Sequence, residues 1–483
     1  MTSKLLPLLI AAALSGCSMA PDYHQPDTQS EHQGWTEASA RQNLETAIPH
    51  WRSFMADKHL QELIDAALQN NKDLKQTILK VAQTKAQYRI QDSNRYPGLD
   101  VNGAYSRTLT PETATPNNRK QYATSSQLGV GVTSYELDLF GRVKSLSDEA
   151  MQSYLASDEN RRSAVIALVS QVASAYIKLI TDQELLSLTQ DTVKAYSQTL
   201  ELVKTRYDAG YSDALTLAQS KTALYSARAN AAKYKLSVAQ QKNMLRQLVG
   251  APIGFATKDR LPIEDGKMLA ELKVGSSSKL ILNRPDILAA EHTLKADNAN
   301  IGAARAAFFP QIQLTAGAGT MSNSLDDLFS SNSGYWSFAP SITLPIFNWG
   351  KTSANLDVAK IKKQSSVIAY EAAIETGFKE VSDALLGQEY YMEQWKAQQA
   401  NLDANKDYYE LAKMRYKQGN DSYIDLLDAQ RSFFSARESE LSSHLNLLTS
   451  RISLFKALGG GWSAADQKST SVDEAVKSVE EMK

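Results

Sequence analysis

Two carboxylates, Asp425 and Asp428, stand three residues apart. On a helix this spacing puts both side chains on one face, so the pair would present two negative charges side by side. Rings of carboxylates attract cations in pores, and like charges so close also repel one another. A second interpretation is capping, because Ser422-x-x-Asp425 is a capping-box pattern and acidic residues are favoured in a first helical turn. The residues alone favour capping.

No other set of residues predicts catalysis or metal binding. The Gly350-Lys351-Thr352 string lacks the earlier glycine of a phosphate-binding loop, since Pro345 occupies that position. No Gly-x-Ser-x-Gly nucleophile elbow is present. The six histidines lie too far apart in the sequence for a metal-ligand pattern: His24, His32, His50, His59, His292 and His444. The sequence therefore predicts a protein that is not an enzyme and has no metal site or cofactor.

The single cysteine, Cys17, follows a basic start at Lys4 and an apolar run over residues 5–14. This N-terminus is typical of a secretory signal, and it is too short to span a membrane. The Leu-Ser-Gly-Cys string that ends at Cys17 resembles the lipobox of bacterial lipoproteins, in which the signal is removed and the cysteine is acylated. We expect a diacylglycerol and an N-terminal acyl chain on Cys17, which would hold the chain in a membrane leaflet. Ser18 after the cysteine resembles the residue found in lipoproteins that are sorted to the outer membrane. An ordinary signal peptide that contains a cysteine is the alternative.

Composition indicates long elements and argues against one class of partner. The chain has 483 residues, with 52 Lys and Arg against 53 Asp and Glu, a net charge of −1. That balance argues against a nucleic-acid binder. With only 13 prolines and 23 glycines, few positions interrupt a helix or strand.

The sequence contains an internal duplication. A shift that takes Leu202–Gly250 onto Leu411–Gly459 aligns the two segments without a gap and pairs Arg206 with Arg415 and Gly210 with Gly419. Both segments predict a helix, a turn at the glycine and a second helix. Apolar residues recur at heptad spacing in the helices, as at Val165, Leu168, Val172, Ala175 and Leu179. This pattern is typical of helices that pack side by side as coiled coils.

Four strands are predicted between the helices, at about residues 98–108, 126–137, 311–320 and 335–345. Large apolar residues alternate with polar or small ones, which gives each strand two different faces. The strand length suits a tilted membrane strand, although a soluble sandwich would show the same alternation. In lipid only a closed barrel satisfies every backbone hydrogen bond, and four strands cannot close one. A membrane location therefore requires several copies of the chain.

The segment from Asn283 to Pro310 resembles the most recognisable part of the outer-membrane efflux protein family, of the TolC and OprM type. The segments Tyr135–Gly141 and Asp425–Gln430 extend the similarity over nearly all the mature chain. With the lipobox, the resemblance implies the lipoprotein branch that serves resistance-nodulation-division (RND) pumps. It implies a mixed, mainly α fold in a homotrimer, with a twelve-stranded transmembrane β-barrel on a twelve-helix periplasmic α-barrel. The implied partners are a periplasmic adaptor protein and an inner-membrane RND transporter.

The function implied by the resemblance is a passive exit duct for drugs or other toxic compounds, gated at its periplasmic tip. Family members close where the paired helices of each half turn. Position by position, this assigns Asp425 and Asp428 to inward-facing acids and Ile424 to an apolar constriction. With the resemblance, the gate is favoured for Asp428, and Asp425 is expected both to cap the helix and to line the gate.

Further contacts at the tip are implied in the same way. Tyr416 and Arg415 are candidate ties of the closed tip. Thr216 stands where some relatives carry an aspartate, so that particular latch is expected to differ here. The surfaces around Gly210 and Gly419 are where an adaptor would dock, although both glycines also suit turns that need positive φ.

The expected organisation has six parts, in this order: signal peptide 1–16, lipidated segment and belt 17–56, repeat 57–256, linker and belt 257–278, repeat 279–460, and polar tail 461–483. The main rival to the exit duct is a lipid-anchored periplasmic coiled-coil scaffold without a pore. A scaffold explains the heptads but not the four alternating strands.

Overall fold

The structure is a computed structural model that describes residues 18–26, 48–254, 268–270, 272 and 282–461. Cys17, the signal peptide and all of the tail beyond Gly461 lie outside the described residues. Its α-helices are α1 (Trp51–Phe54), α2 (Lys58–Asn70), α3 (Lys72–Ser93), α4 (Arg142–Asp208), α5 (Ala214–Val249), α6 (Pro285–Ala306), α7 (Lys351–Lys417) and α8 (Tyr423–Ala457). Its strands are β1 (Asp100–Thr110), β2 (Gln121–Leu137), β3 (Gln311–Ser322) and β4 (Gly334–Thr343).

The element order repeats, as the duplication predicts. Each half runs helix, strand, strand, long helix, turn, long helix, from α3 to α5 and again from α6 to α8. The helices α4 and α7 both contain 67 residues. Gly377 and Gly387 do not interrupt α7, because a glycine weakens a helix without breaking its hydrogen bonds.

The four predicted strands form one antiparallel sheet in the order β1-β2-β3-β4. Strand β2 starts at Gln121 rather than near residue 126, and its first residue pairs with Thr110. The polar run of residues 121–125 offers no apolar alternation, so its pairing was not predictable from the pattern. A bulge between Val132 and Tyr135 shifts the register with β3, and Ser134 takes a φ of 55° there.

The two faces of the sheet differ sharply in chemistry. One face, called the apolar face below, carries cross-strand rows such as Val101, Val130, Ala318 and Trp336, and its large side chains are exposed. The opposite face, the small-residue face, carries Gly, Ala, Ser, Thr and amide side chains together with Tyr335 and Met321. In the four described strands its charged residues are Asp100 and Glu136. Strands β1 and β4 each leave one edge without a strand partner among the described residues.

The described residues divide into two compact units, and each unit draws on both halves of the duplication. The first unit lies within Met1–Pro26, Val81–Asp158 and Ala289–Glu371 and contains the sheet. The second lies within Asp27–Lys80, Glu159–Leu288 and Ala372–Lys483. The repeats defined by sequence are therefore not separate compact bodies.

In the first unit, residues 18–26 lie along α6 and form the N-terminal strap. The Met19 carbonyl accepts from Arg305 at 3.1 Å, the Pro21 carbonyl accepts from Asn298 at 2.7 Å, and the Tyr23 hydroxyl donates to Glu291 at 3.1 Å. The strap thus runs antiparallel to α6 and begins beside its C-terminal end. A Cβ on Gly302 would lie 2.7 Å from the Ala20 nitrogen, so glycine permits this close approach.

In the second unit the helices share an apolar core. Phe54 of α1 stacks on Phe455 of α8 with ring centroids 4.7 Å apart, and both are fully buried. Residues 268–270 belong to the segment expected to be a linker and belt, and there Leu269 pairs with Met55 in an antiparallel bridge and Met268 is buried. An apolar anchor of three residues is too short to show a period, which explains why the sequence pattern did not reveal it.

One window of α4 is long and apolar enough to cross a membrane by itself, with a mean hydropathy of 1.7. However, 67% of that window is buried inside the protein. A core helix meets the same length and composition test as a membrane span, and the heptad residues Val165, Leu168 and Val172 are all part of the core.

Candidate functional site at the two helix turns

The turn after α4 and the turn after α7 have the same backbone. Gly210 has a φ of 79° and Gly419 a φ of 81°, in the left-handed region that favours glycine. In the first turn the Tyr211 amide donates to the Arg206 carbonyl at 2.7 Å; in the second, the Asn420 amide donates to Arg415 at 3.0 Å. The glycine amides donate in turn to the carbonyls of Tyr207 and Tyr416, at 3.0 and 3.1 Å, which completes a Schellman motif in each half.

The helix that follows each turn is capped, but the hydroxyl and the carboxylate residue occupy opposite positions in the two caps. Before α8, the Ser422 hydroxyl accepts from the Asp425 amide at 3.4 Å and the Asp425 carboxylate accepts from the Ser422 amide at 3.1 Å. Before α5, the carboxylate comes first: Asp213 accepts from the Thr216 amide at 2.6 Å. Bonds from Thr216 lower the pKa of Asp213. The first half therefore keeps an acid in its cap, three residues before the position where the resemblance looks for it.

The three candidate gate residues share one exposed face of α8. Ile424 is 51% exposed, and Asp425 and Asp428 are exposed beside it, whereas Tyr423 and Leu427 on the other face are buried. Asp425 is part of the capping box, as the capping interpretation of the sequence predicts. The Asp428 carboxylate accepts instead from the Tyr408 hydroxyl of α7 at 3.4 Å. A tyrosine on the neighbouring helix thus orients this carboxylate.

The candidate ties form two separate contacts. Arg415 binds both carboxylate oxygens of Asp421 through its Nε atom, at 2.7 and 2.9 Å, and this bond lowers the pKa of Asp421. In the first half Ser212 occupies the position of Asp421, so Arg206 lacks the equivalent acid within its own turn. Arg206 instead donates to the Tyr416 hydroxyl at 3.2 Å and also lies over the Tyr416 ring. The Arg206–Tyr416 contact joins the two turns of one chain.

A small apolar cluster supports both turns from within. Tyr423 and Leu427 pack with residues of α4 and α5, and the ring of Tyr416 meets that of Tyr423 edge to face at 6.2 Å. Burial raises the pKa of Tyr423 to about 12. The buried members are Tyr196, Val203, Ala223, Leu224, Ala227, Tyr423 and Leu427. The tie residue Tyr416 is therefore fixed on both sides, by Arg206 and by this cluster.

The structure brings the predicted residues of the second half into one turn region and adds three that the sequence did not single out. These are Asp213, Asp421 and Tyr408, while Arg206, which the sequence pairs with Arg415, contacts Tyr416. Comparing the two copies of the repeat gives a signal for Asp421, because the equivalent position in the first copy is a serine, Ser212. Tyr408 gives no such signal, since its partner lies twenty positions later on another helix. Among the described residues, no group of three His, Cys, Asp or Glu side chains is placed to hold a metal ion.

The capped turns are expected to loosen in acid. A carboxyl whose folded pKa is lowered stabilises the fold fully above the unfolded pKa of about 3.9, and this stabilisation is lost as the pH falls through the folded value. Asp213 and Asp421 both have lowered pKa values. Hydrogen exchange of peptides that cover the turns, corrected for the intrinsic rate, should therefore accelerate below about pH 4. Asp213→Asn should remove most of this dependence in the first turn; an unchanged pH profile would contradict the role of the cap.

Comparison with known proteins finds a family that matches most of the chain. A family model described as outer membrane efflux protein matches residues 63–251 and 277–460. The solvent efflux pump outer membrane protein SrpC of Pseudomonas putida is 43% identical over 471 residues, which cover 96% of this chain and 100% of the relative. The outer membrane protein OprJ of Pseudomonas aeruginosa is 42% identical over 456 residues, covering 94% and 95%.

A solved structure shows the same fold. The open state of the MtrE outer membrane channel of Neisseria gonorrhoeae aligns with a TM-score of 0.83 and 38% sequence identity, covering 92% of this chain and 98% of that one. The family model spans most of the chain, and the relatives align over nearly their full length. The chain therefore belongs to the outer membrane efflux protein family.

Proposed function

We propose that the chain is the exit duct of a tripartite RND-type efflux system, a homotrimeric channel gated by the turns at its periplasmic tip. As an outer-membrane efflux channel it is not an enzyme, and the pore-free scaffold is set aside. The observation that supports the duct best is the four-stranded sheet with an exposed apolar face and two unpaired edges. Such a sheet is stable in lipid only when its edges are paired.

Trimer formation would pair those edges. The unpaired edge of β4 in one copy can bond to β1 of the next copy in the same antiparallel sense, so that three sheets of four strands give a barrel of twelve. The apolar face would then meet lipid and the small-residue face would line the channel. Aromatic side chains at the strand ends support this orientation: Phe347 and Trp349, with rings 4.9 Å apart, are both highly exposed where β4 leads into α7.

The N-terminal strap supports a lipid anchor on Cys17. The strap begins beside Arg305, at the end of α6 that leads into β3, so residue 18 lies close to the sheet. Acyl chains on Cys17 would then enter the leaflet next to the strands. Mass spectrometry of the purified protein should find the mature chain starting at an acylated Cys17; a different, unmodified N-terminus would rule this anchor out.

The turns at Gly210 and Gly419 are the proposed docking surface for a periplasmic adaptor, which would connect the duct to an inner-membrane RND transporter. Near the first turn Tyr211 is 86% exposed and Leu215 is 63% exposed, so both side chains are accessible to a partner. Relatives are named for the efflux of solvents and antibiotics. We take small toxic organic compounds as the substrate class.

The proposed gate consists of Ile424, Asp425 and Asp428, brought together around the three-fold axis. Asp428→Ala should raise the single-channel conductance of the trimer in planar bilayers and reduce its preference for cations, because three like charges leave the narrowest point. Asp407→Ala is a suitable control, since it removes an equally exposed carboxylate from α7 next to Tyr408. Equal conductance in the wild type and the Asp428→Ala variant would count against the gate, while leaving the duct itself intact.

A further inference from the structure

A tyrosine lies across bare backbone on the small-residue face of the sheet. Tyr335 of β4 is directly opposite Gly319 of β3, which in turn is opposite Gly129 of β2. The Tyr335 hydroxyl reaches across β3 and accepts a hydrogen bond from the Gln127 side-chain amide on β2. The ring therefore lies along the sheet, over two glycines, instead of standing away from it.

The two glycines leave no room for a side chain beneath the tyrosine. A Cβ on Gly129 would lie 2.8 Å from the Tyr335 hydroxyl oxygen and 3.0 Å from the Ala318 carbonyl oxygen. The first distance is shorter than real Cβ contacts, and the tyrosine is the neighbour that can move. A Cβ on Gly319 would collide with the backbone of Leu128 and Gly129. Glycine at position 129 is thus what allows the ring to lie flat, and glycine at position 319 is what allows β3 to approach β2 beneath it.

The surroundings make the orientation of this ring important. Tyr335 is the largest side chain on the small-residue face, and its neighbours there are glycine, alanine, serine, threonine, amides and Met321. It stands at the start of β4, near the hairpin that joins β3 to β4. If the small-residue face lines the channel, three copies place three tyrosines around the outer end of the lumen.

We propose that Gly129, Gly319 and Gln127 hold Tyr335 flat against the wall and so set the width of the outer end of the channel. The inference rests on the proposed function, because it needs the small-residue face to line the lumen. Gly129 acts as a positioning residue: a side chain there lifts the ring off the backbone and turns a wall residue into an obstruction. On the small-residue face the charged residues of the four strands, Asp100 and Glu136, lie at the ends away from the β3–β4 hairpin, so the outer end restricts passage by size and not by charge.

The test measures how quickly a thiol deeper in the lumen reacts with reagents added outside intact cells. Ser341 lies on the small-residue face of β4, on the far side of Tyr335 from the hairpin, and Ser341→Cys provides the thiol. In this background, Gly129→Val should slow labelling by a bulky maleimide several-fold and leave labelling by a small one unchanged. Adding Tyr335→Ala should restore the rate. The state of the periplasmic tip does not affect this measurement.

Two controls separate the possible outcomes. Ser337→Val adds similar volume to the same face without a ring above it and should slow labelling far less than Gly129→Val. Heat-resistant trimers on gels report whether each variant folds, a property that a merely structural role for Tyr335 would change. If Gly129→Val leaves the rate at which the bulky maleimide labels Ser341→Cys unchanged, the inference is overturned. No labelling of Ser341→Cys by either reagent in a folded trimer contradicts the orientation of the sheet, and with it the inference.

Discussion

Trimers that carry Arg206→Ala are expected to open far more often than the wild type. Arg206 donates to the Tyr416 hydroxyl and lies over its ring, and this contact joins the two turns of each chain. An exposed cation–π contact is worth about 0.5–1 kcal/mol. Three copies that open together would lose about 1.5–3 kcal/mol, which changes the ratio of closed to open trimers roughly ten- to hundredfold.

Single-channel recording in planar bilayers measures this directly as open probability. Arg228→Ala is the matched control, because Arg228 also lies over a tyrosine ring, that of Tyr225, but both residues belong to α5 and connect no turns. Tyr416→Phe should give an intermediate effect, since it removes the hydroxyl and keeps the ring. If Arg206→Ala and Arg228→Ala gave the same open probability, the tie would have no role in closure.

Val130→Lys is expected to abolish assembly in the outer membrane. Val130 lies on the apolar face, in a row with Val101, Ala318 and Trp336. A lysine at the bilayer midplane of a barrel costs about 2–4 kcal/mol, and each trimer would contain three of them. The measurement is the fraction of chain recovered as heat-resistant trimer in outer-membrane preparations.

Ser337→Lys is the control for this substitution, because Ser337 lies on the small-residue face close to the same row. Its lysine would extend into water, so trimers should still form. The reverse result, in which Val130→Lys forms heat-resistant trimers and Ser337→Lys does not, would mean that the small-residue face meets the lipid. If neither variant formed trimers, the sheet would need small, uncharged residues at these positions on both faces.

Most of the fold could be predicted from regular patterns in the sequence. Alternation along four segments predicted four strands, and the match of Arg206 to Arg415 and Gly210 to Gly419 predicted two equal turns; the structure contains both. The start of β2 was missed because residues 121–125 are held by backbone pairing with β1, which leaves no mark on side-chain hydrophobicity.

The details of the turns depended on partners that are distant in sequence. Ser422 and Asp425 form a local capping box, so three residues of sequence were enough to predict it. Tyr408 holds Asp428 from a neighbouring helix, and Arg206 reaches Tyr416 in the other half of the chain. Such pairs arise from how helices pack. Tyr335 is a similar case, since only the register of three strands places it over Gly129.

The two Schellman turns have a consequence for symmetry. Their backbone bonds depend on Gly210 and Gly419 and not on the neighbouring side chains, so duplication left the side chains free to diverge. At equivalent positions the first turn carries Tyr211, Ser212 and Thr216, where the second carries Asn420, Asp421 and Asp425. A trimer would display six turns with a pseudo-sixfold backbone but an alternating surface of two chemical kinds. A ring of six identical ligands would therefore meet two environments in turn, and mutations in one half could retune one set of contacts while the other stayed intact.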